Sequence, residues 1–439
     1  MLSSNLTVLT HPLLELESVC SLTATATATA TMTKFTIPKS ATGLRAVPES
    51  QLDLRPEEEI VAGLKSFRPI SSGKNVWCYW DRGLDRMYPS YRQTVINWVR
   101  KLGRSWTVRI IDLVDNSPNN VYNFVDKSYF PECFNNRTMD GPHAAQHGAD
   151  LVRLPLLFEH GGVWMDVGNM LHTHLDTLFW NALTAPGSPY EMGVWLISGQ
   201  IRRKWGSFGN YLVAARKGCV FIRNWHDSYK ALWEGRTNAD GFHKLPLVQE
   251  IGIADGMADW FSEDVVLKMS DYVAQMLMAD RTRNLLDINT GWNGREFFEK
   301  KVFIVEGIMN GVLGAIKTNF SGQKQVDLFT TSLDEPDEGK RREAEEFFVE
   351  MLEKSHMYKI YHDSTGTNPT FGDLIKKDGF KDASNRPGTF GELYRYGTVH
   401  WESTREVERI LPVATDDELI RATFTTPAPS GENVVDGSA

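Results

Sequence analysis

Apolar and polar positions first fall into a clear order at residues 76–80, Val-Trp-Cys-Tyr-Trp, a run of strand formers with polar residues on either side. A polar loop with Gly83 follows. Apolar positions then recur at helical spacing from Tyr91 to Leu102, and Gly103 closes that helix where a left-handed cap is preferred. Residues 108–113 supply the next apolar strand. Strand, helix and strand in this order predict an α/β domain with a parallel sheet. After an irregular stretch containing Pro118, Pro131 and Pro142, the positions Leu151, Leu154, Leu157 and Phe158 share one face of a helix over 143–160. Gly161 and Gly162 stop that helix. Residues 163–165 read as a short buried strand, which puts Asp166 at a strand's carboxyl end, where open α/β sheets place their ligands.

The later pattern predicts a strand over 210–215, a helix over 220–233 and a strand over 302–305. A helix starting near Asp334 and Pro336 runs to about Lys354 with Phe347, Phe348, Met351 and Leu352 buried, and a strand follows over 358–362. His172 and His174 alternate like surface neighbours on a strand. Gly307, Gly311 and Gly314 do not form G-x-G-x-x-G, so they mark close helix packing rather than a phosphate cradle. Trp260, Met269, Met276 and Met278 are read as core, with an apolar acceptor wall as the alternative.

The ends differ from the middle. Residues 23–31 alternate Thr and Ala, so 1–40 is expected to be disordered, with Met32 a candidate start. Residues 413–439, with Pro427, Pro429 and Gly431, are expected to form a flexible tail. That leaves 41–412 as one domain, long enough for a substantial core. A net charge of −9 without a dense Lys/Arg block excludes a nucleic-acid partner. Cys20, Cys78, Cys133 and Cys219 show no C-x-x-C spacing, which removes a zinc ribbon or disulfide framework and fits a reducing compartment. No run is long and apolar enough for a transmembrane anchor, and the first residues lack the order of a secretory signal. The expected location is cytoplasmic. On that expectation the sequons at Asn136 and Asn319 carry no weight.

Asp150 and Arg153 lie three apart on the 143–160 helix and share a face. Asp166 follows on the next strand after a two-glycine turn, so all three side chains can converge on one ligand. A plain ion pair for Asp150 with Arg153, a capping role for Asp166 and core burial for Trp80 are the structural alternatives. His143 and His147 have metal-pair spacing, but Ala144 stands where a metalloprotease has its glutamate, and a solvated or helix-starting role is expected.

The segment from Asp150 through Arg153 and His160-Gly161-Gly162-Val163-Trp164 to Asp166 resembles the D-x-x-R…Y-G-G-[VI]-[YW]-x-D stretch of the family-32 glycosyltransferases, the capsular-polysaccharide-synthesis proteins and the sugar-transferring toxins. Residues 76–83 and 209–218 are similar to the opening strand and post-motif strand of the capsular group. The resemblance implies a GT-A fold, with a single, mainly parallel central sheet, flanking helices, a donor half over about 75–200 and an acceptor half over 201–412. It implies transfer from a nucleotide sugar, uridine-linked, to a hydroxyl of a small-molecule, lipid or glycan acceptor, with retention at the anomeric carbon. Trp80 would stack on the base, Asp150 and Arg153 would hold sugar hydroxyls or phosphate, and Asp166 would sit beside ribose and a divalent cation, Mn²⁺ or Mg²⁺. Many relatives carry D-x-D, whereas here Asp166 is followed by Val167 and Gly168. Asn169, His362 or water would have to complete the metal shell. A nucleotide-sugar hydrolase and an inactive, carbohydrate-binding relative are the rival readings.

Overall fold

The computed structural model describes residues 34–197, 206–259, 261–362, 369–412 and 417–428. The Thr/Ala tract, Met32 and Trp260 lie outside them. The chain falls into two units, residues 1–36 and residues 37–439, and every element below belongs to the second.

Six strands form the central sheet: β1 (Asn75–Tyr79), β2 (Thr107–Ile111), β3 (Gly162–Met165), β4 (Met192–Ile197), β5 (Ser207–Ala215) and β6 (Val302–Glu306), in the order β2-β1-β3-β5-β4-β6. β1 is parallel to β2 and β3, and β4 is parallel to β6, but β5 runs antiparallel to both β3 and β4. The sheet is therefore mixed, not mainly parallel. An apolar run announces burial on both faces without announcing direction, so the reversal at β5 leaves no mark in the pattern.

The expected elements around β1 and β3 are present. Helix α1 (Pro89–Leu102) begins on Pro89 and ends at Gly103, whose φ of +60° favours glycine but whose ψ of −159° is extended, so the stop is at the expected residue without the expected left-handed cap. Helix α2 (Ala144–His160) buries Leu151, Leu154 and Leu157. Gly161 and Gly162 have φ of +68° and +110°, and a Cβ on Gly162 would run into the Asn75 carbonyl oxygen. Only glycine allows this tight reversal, which drops the chain from α2 straight onto β3 beside β1. Trp77, Trp164 and Trp195 are fully buried in the sheet.

A second, short ribbon covers one end of β3. Asn169–Leu171 pairs antiparallel with Met357–Lys359, placing Lys359 opposite Asn169, and the Ile360 amide donates to the Gly168 carbonyl at 2.9 Å. The glycines at 311 and 314 pack as expected: a Cβ on either would collide with the ring of Trp195 or Tyr358. Met269, Met276 and Met278 are buried.

Two further expectations fail. His172 is not a surface residue: it is 1% exposed, with Nδ1 at 3.0 Å from the Ser355 carbonyl oxygen and Nε2 at 2.6 Å from the Tyr394 hydroxyl. Part of the expected loose tail is also ordered, since Ile420–Ala422 pairs parallel with Leu285–Asp287. The wholly buried guanidinium of Arg281 clamps the tail by donating to the carbonyls of Thr423 (2.9 Å) and Phe424 (3.2 Å), while Glu250 balances its charge at 2.6 Å. Cys78, Cys133 and Cys219 are buried, free thiols. Among the described residues no helix is long and apolar enough to cross a membrane.

Candidate active site

A cavity of about 310 Å³ opens at the carboxyl ends of β1 and β3. Its walls come from Trp80 just past β1, Asp150 and Arg153 on α2, Asp166 to Gly168 past β3, Asn210 on β5, and Lys359, Ile360 and His362. The two-glycine turn brings α2 and β3 together, and the short ribbon carries in the last group from almost 200 residues further along the chain.

Arg153 is the hub. Its Nη2 lies 2.9 Å from Asp150 Oδ1 and 3.4 Å from Asp166 Oδ1, and its Nη1 donates to the Asn210 carbonyl (3.0 Å) and to Gln275 Oε1 (2.9 Å). The guanidinium also sits 5.1 Å from the Trp164 ring centre. Asp150 is flanked on its other side by the buried His147, at 3.5 Å. Asp166 Oδ1 accepts from Trp164 Nε1 at 2.9 Å, and Oδ2 accepts from Lys359 Nζ at 2.8 Å. Burial alone would raise the Asp166 carboxyl, but Lys359 and Arg153 overcome it and hold the group down at about 2. Burial lowers the Lys359 ammonium, with Asp166 opposing the shift. Lys359 also lies 4.7 Å over the Tyr211 ring.

Trp80 is half-buried, makes edge and tilted contacts with Tyr88 (5.9 Å) and Tyr91 (5.8 Å), and has an indole N–H with no partner among the described residues. His362 is gripped at both nitrogens, Nε2 by the Tyr91 hydroxyl at 2.8 Å and Nδ1 by Asp373 at 3.1 Å. Burial lowers its imidazole, with Asp373 opposing. Tyr272, Val273 and Met276 form an apolar wall of the same cavity. The arrangement offers an aromatic flank, a carboxylate pair bridged by a fixed guanidinium, and two lysines, Lys359 and Lys376.

Residues 58–254 match the family described as "Capsular polysaccharide synthesis protein". The chain is 37% identical to the "O-glycosyltransferase braB" of Annulohypoxylon truncatum over 397 residues, covering 88% of this chain and 93% of that protein. It is 36% identical to the "O-glycosyltransferase PaGT" of Phomopsis amygdali, covering 89% of this chain and 98% of that one. The chain belongs to the capsular-polysaccharide-synthesis family of glycosyltransferases. Among solved structures, a "PaToxG Glycosyltransferase" aligns over 51% of this chain and 82% of its own at 18% identity, with a TM-score of 0.26, too low to carry an argument.

In this glycosyltransferase all five residues singled out in the sequence, Trp80, Asp150, Arg153, Asp166 and His362, line one cavity. Lys359, Lys376 and Tyr91 join them without any motif to flag them. Lys359 was hidden inside an expected strand, and only its register opposite Asn169 delivers it to Asp166. His143 occupies the cap position that starts α2, whereas His147 is buried beside Asp150 rather than solvated.

The protein's own groups do not fit a divalent ion. Such an ion takes about six oxygen ligands. Asp166 is the single carboxylate at the strand end, and both its oxygens already accept from cationic donors. Asn169 is wholly buried, donates its amide N–H to the Tyr211 carbonyl at 2.7 Å and does not line the cavity, although its side-chain oxygen has no partner among the described residues. A Cβ on Gly168 would lie 3.1 Å from the Ile360 carbonyl oxygen, so a second acid there would first meet another oxygen. Among the described residues no three His, Cys, Asp or Glu side chains gather, so an ion would have to take most of its ligands from a bound diphosphate and water.

Proposed function

We propose that the cavity binds a nucleotide-sugar donor, uridine-linked, in a GT-A arrangement and passes its hexosyl group to an acceptor hydroxyl. The observation that supports this best is the convergence of Trp80, Asp150, Arg153 and Asp166 on one cavity at the strand ends. An indole flank suits a nucleobase, carboxylates accept sugar hydroxyls, and a guanidinium fixed from four sides suits a diphosphate. In the reaction the anomeric C–O bond to the diphosphate breaks and a bond from the acceptor oxygen to that carbon forms. In the retaining course the acceptor's proton leaves on the nucleoside diphosphate.

A hydroxyl acceptor is in keeping with relatives named O-glycosyltransferases. The apolar wall of Tyr272, Val273 and Met276 suits an acceptor with an apolar face, whether small molecule, lipid or glycan-bearing. Buried free thiols suit a reducing, cytoplasmic setting. Incubating the protein with a panel of uridine- and guanosine-linked sugars and measuring nucleoside diphosphate release tests the donor assignment. Release from a uridine-linked sugar is expected. No release and no nucleotide binding with any member would overturn it.

A further inference from the structure

We propose that Lys359, with Lys376 on the same cavity, takes the place of a divalent cation on the donor diphosphate, so that this transferase binds and uses its nucleotide sugar without metal. The inference rests on the nucleotide-sugar reading above. It starts from a substitution of charge: where a D-x-D site would carry a second acid, the chain has Gly168, and the strand clipped to that glycine brings an ammonium instead.

The placement of Lys359 is rigid. It ends the strand Met357–Lys359, is paired with Asn169, and is followed by Ile360, whose amide is bonded to the Gly168 carbonyl. Its side chain is 11% exposed and reaches Asp166 Oδ2 at 2.8 Å. Arg153 approaches the other oxygen at 3.4 Å and the Trp164 indole donates to it at 2.9 Å. A divalent ion arriving at Asp166 would have to expel Lys359 and stand beside two fixed positive charges, a repulsion that one carboxylate cannot offset. An incoming diphosphate meets the opposite situation, because its oxygens can accept from the Lys359 ammonium and the Arg153 guanidinium, both of which line the same cavity.

Lys376 supplies the second charge. It lines the cavity, is half-buried, and makes no hydrogen bond or ion pair among the described residues, although Asp373 lies near enough to act on its charge. Two ammonium groups carry the same total charge as one Mn²⁺. They stabilise the leaving diphosphate while the anomeric C–O bond breaks and the acceptor oxygen bonds to carbon, and the acceptor's proton still departs on the nucleoside diphosphate.

The test is calorimetric titration of the full-length protein with uridine diphosphate, after dialysis against a chelator and again with Mn²⁺ added, alongside turnover of a uridine-linked sugar under both conditions. Wild-type affinity and turnover should differ less than about twofold between the two, since a metal that does not bind cannot couple to the nucleotide. Lys359→Met should lower uridine diphosphate affinity about tenfold. Because that variant frees Asp166 Oδ2, Mn²⁺ should then raise its nucleotide affinity, as expected if the ammonium and the ion compete for one place. Lys359→Arg should regain most of the lost affinity. Wild-type binding that disappears in chelator and returns with Mn²⁺ would overturn the proposal, even if Lys359→Met fails to fold. A wild type that binds no nucleoside diphosphate and cleaves no nucleotide sugar in either condition would instead sink the donor reading, and this inference with it.

Discussion

Arg153 bridges Asp150 and Asp166 inside a buried network, so single-residue tests must keep charges from being stranded. Arg153→Ala would leave two carboxylates facing each other and cost roughly 3–5 kcal/mol of stability, confusing misfolding with lost chemistry. Asp150→Asn is the cleaner variant, because it keeps the shape and one acceptor oxygen for Arg153. We expect it to lower turnover about 100-fold with little change in melting temperature. Nucleotide release and circular dichroism on the same sample decide it, and near-normal turnover would leave the pair a plain helix ion pair. Trp80 stands apart from that network. If its ring covers the base, Trp80→Ala should raise the donor KM about tenfold while kcat changes much less, since stacking is largely uniform binding. Unchanged donor affinity would return Trp80 to the core, where its contacts with Tyr88 and Tyr91 already half-hold it.

At the scale of elements, the legible parts were those whose cause is local. The helix ending at Gly103 and the reversal at Gly161-Gly162 were readable because each needs a residue type that nothing else replaces. Asp150, Arg153 and Asp166 were readable because a short turn keeps them sixteen positions apart in sequence and adjacent in space. Lys359 and His172 were not, because their partners, Asp166, Ser355 and Tyr394, are met only after strand pairing far along the chain. The ordered tail was missed for the same reason: three residues of strand and a run of prolines look loose until Arg281 is seen to grip them. Removing residues 417–439 would strip that buried guanidinium of its carbonyl acceptors and take away the strand that pairs with Leu285–Asp287, uncovering Leu285, now wholly buried. The melting temperature should fall by several degrees while the cavity residues stay in place, and a differential scan of the truncated chain checks it. An unchanged midpoint would show that the tail contributes nothing to stability.

Across the whole molecule, buried histidines set the acid limit, three of them most strongly. His172, His226 and His356 are 1–2% exposed, and burial pushes each imidazole down to about 3. Their folded values lie below the unfolded one near 6.5, so between these limits the unfolded chain binds more protons and stability falls as pH drops. Each contributes about 1.4 kcal/mol per pH unit, and the three together about 4. Asp166 adds to the same trend lower down, since its contribution is complete above its usual value near 3.8 and is lost as pH approaches 2. Chemical denaturation at pH 7.5, 6.5 and 5.5 should therefore show a plateau and then a steep decline, led by these three histidines and deepened by His400, which burial pushes down to about 4. A flat profile would mean that these rings, once protonated, find hydrogen-bond acceptors in the fold. The direction of the sheet belongs to this scale too: β5 reverses against β3 and β4, and no window of apolar residues records it.

The free cysteines offer a clock for all of this. Cys78 lies in the middle of β1 between Trp77 and Tyr79, one strand away from the two-glycine turn, and burial drives its thiol far above the usual range. Cys219 is pushed up to about 12 by the same cause. Neither can reach an alkylating reagent as a thiolate while the sheet is intact. With Cys20 replaced by serine, the rate at which an electrophile modifies Cys78 would measure how often the sheet beside the cavity comes apart, and a donor that closes the cavity should slow that rate without touching the sulfur.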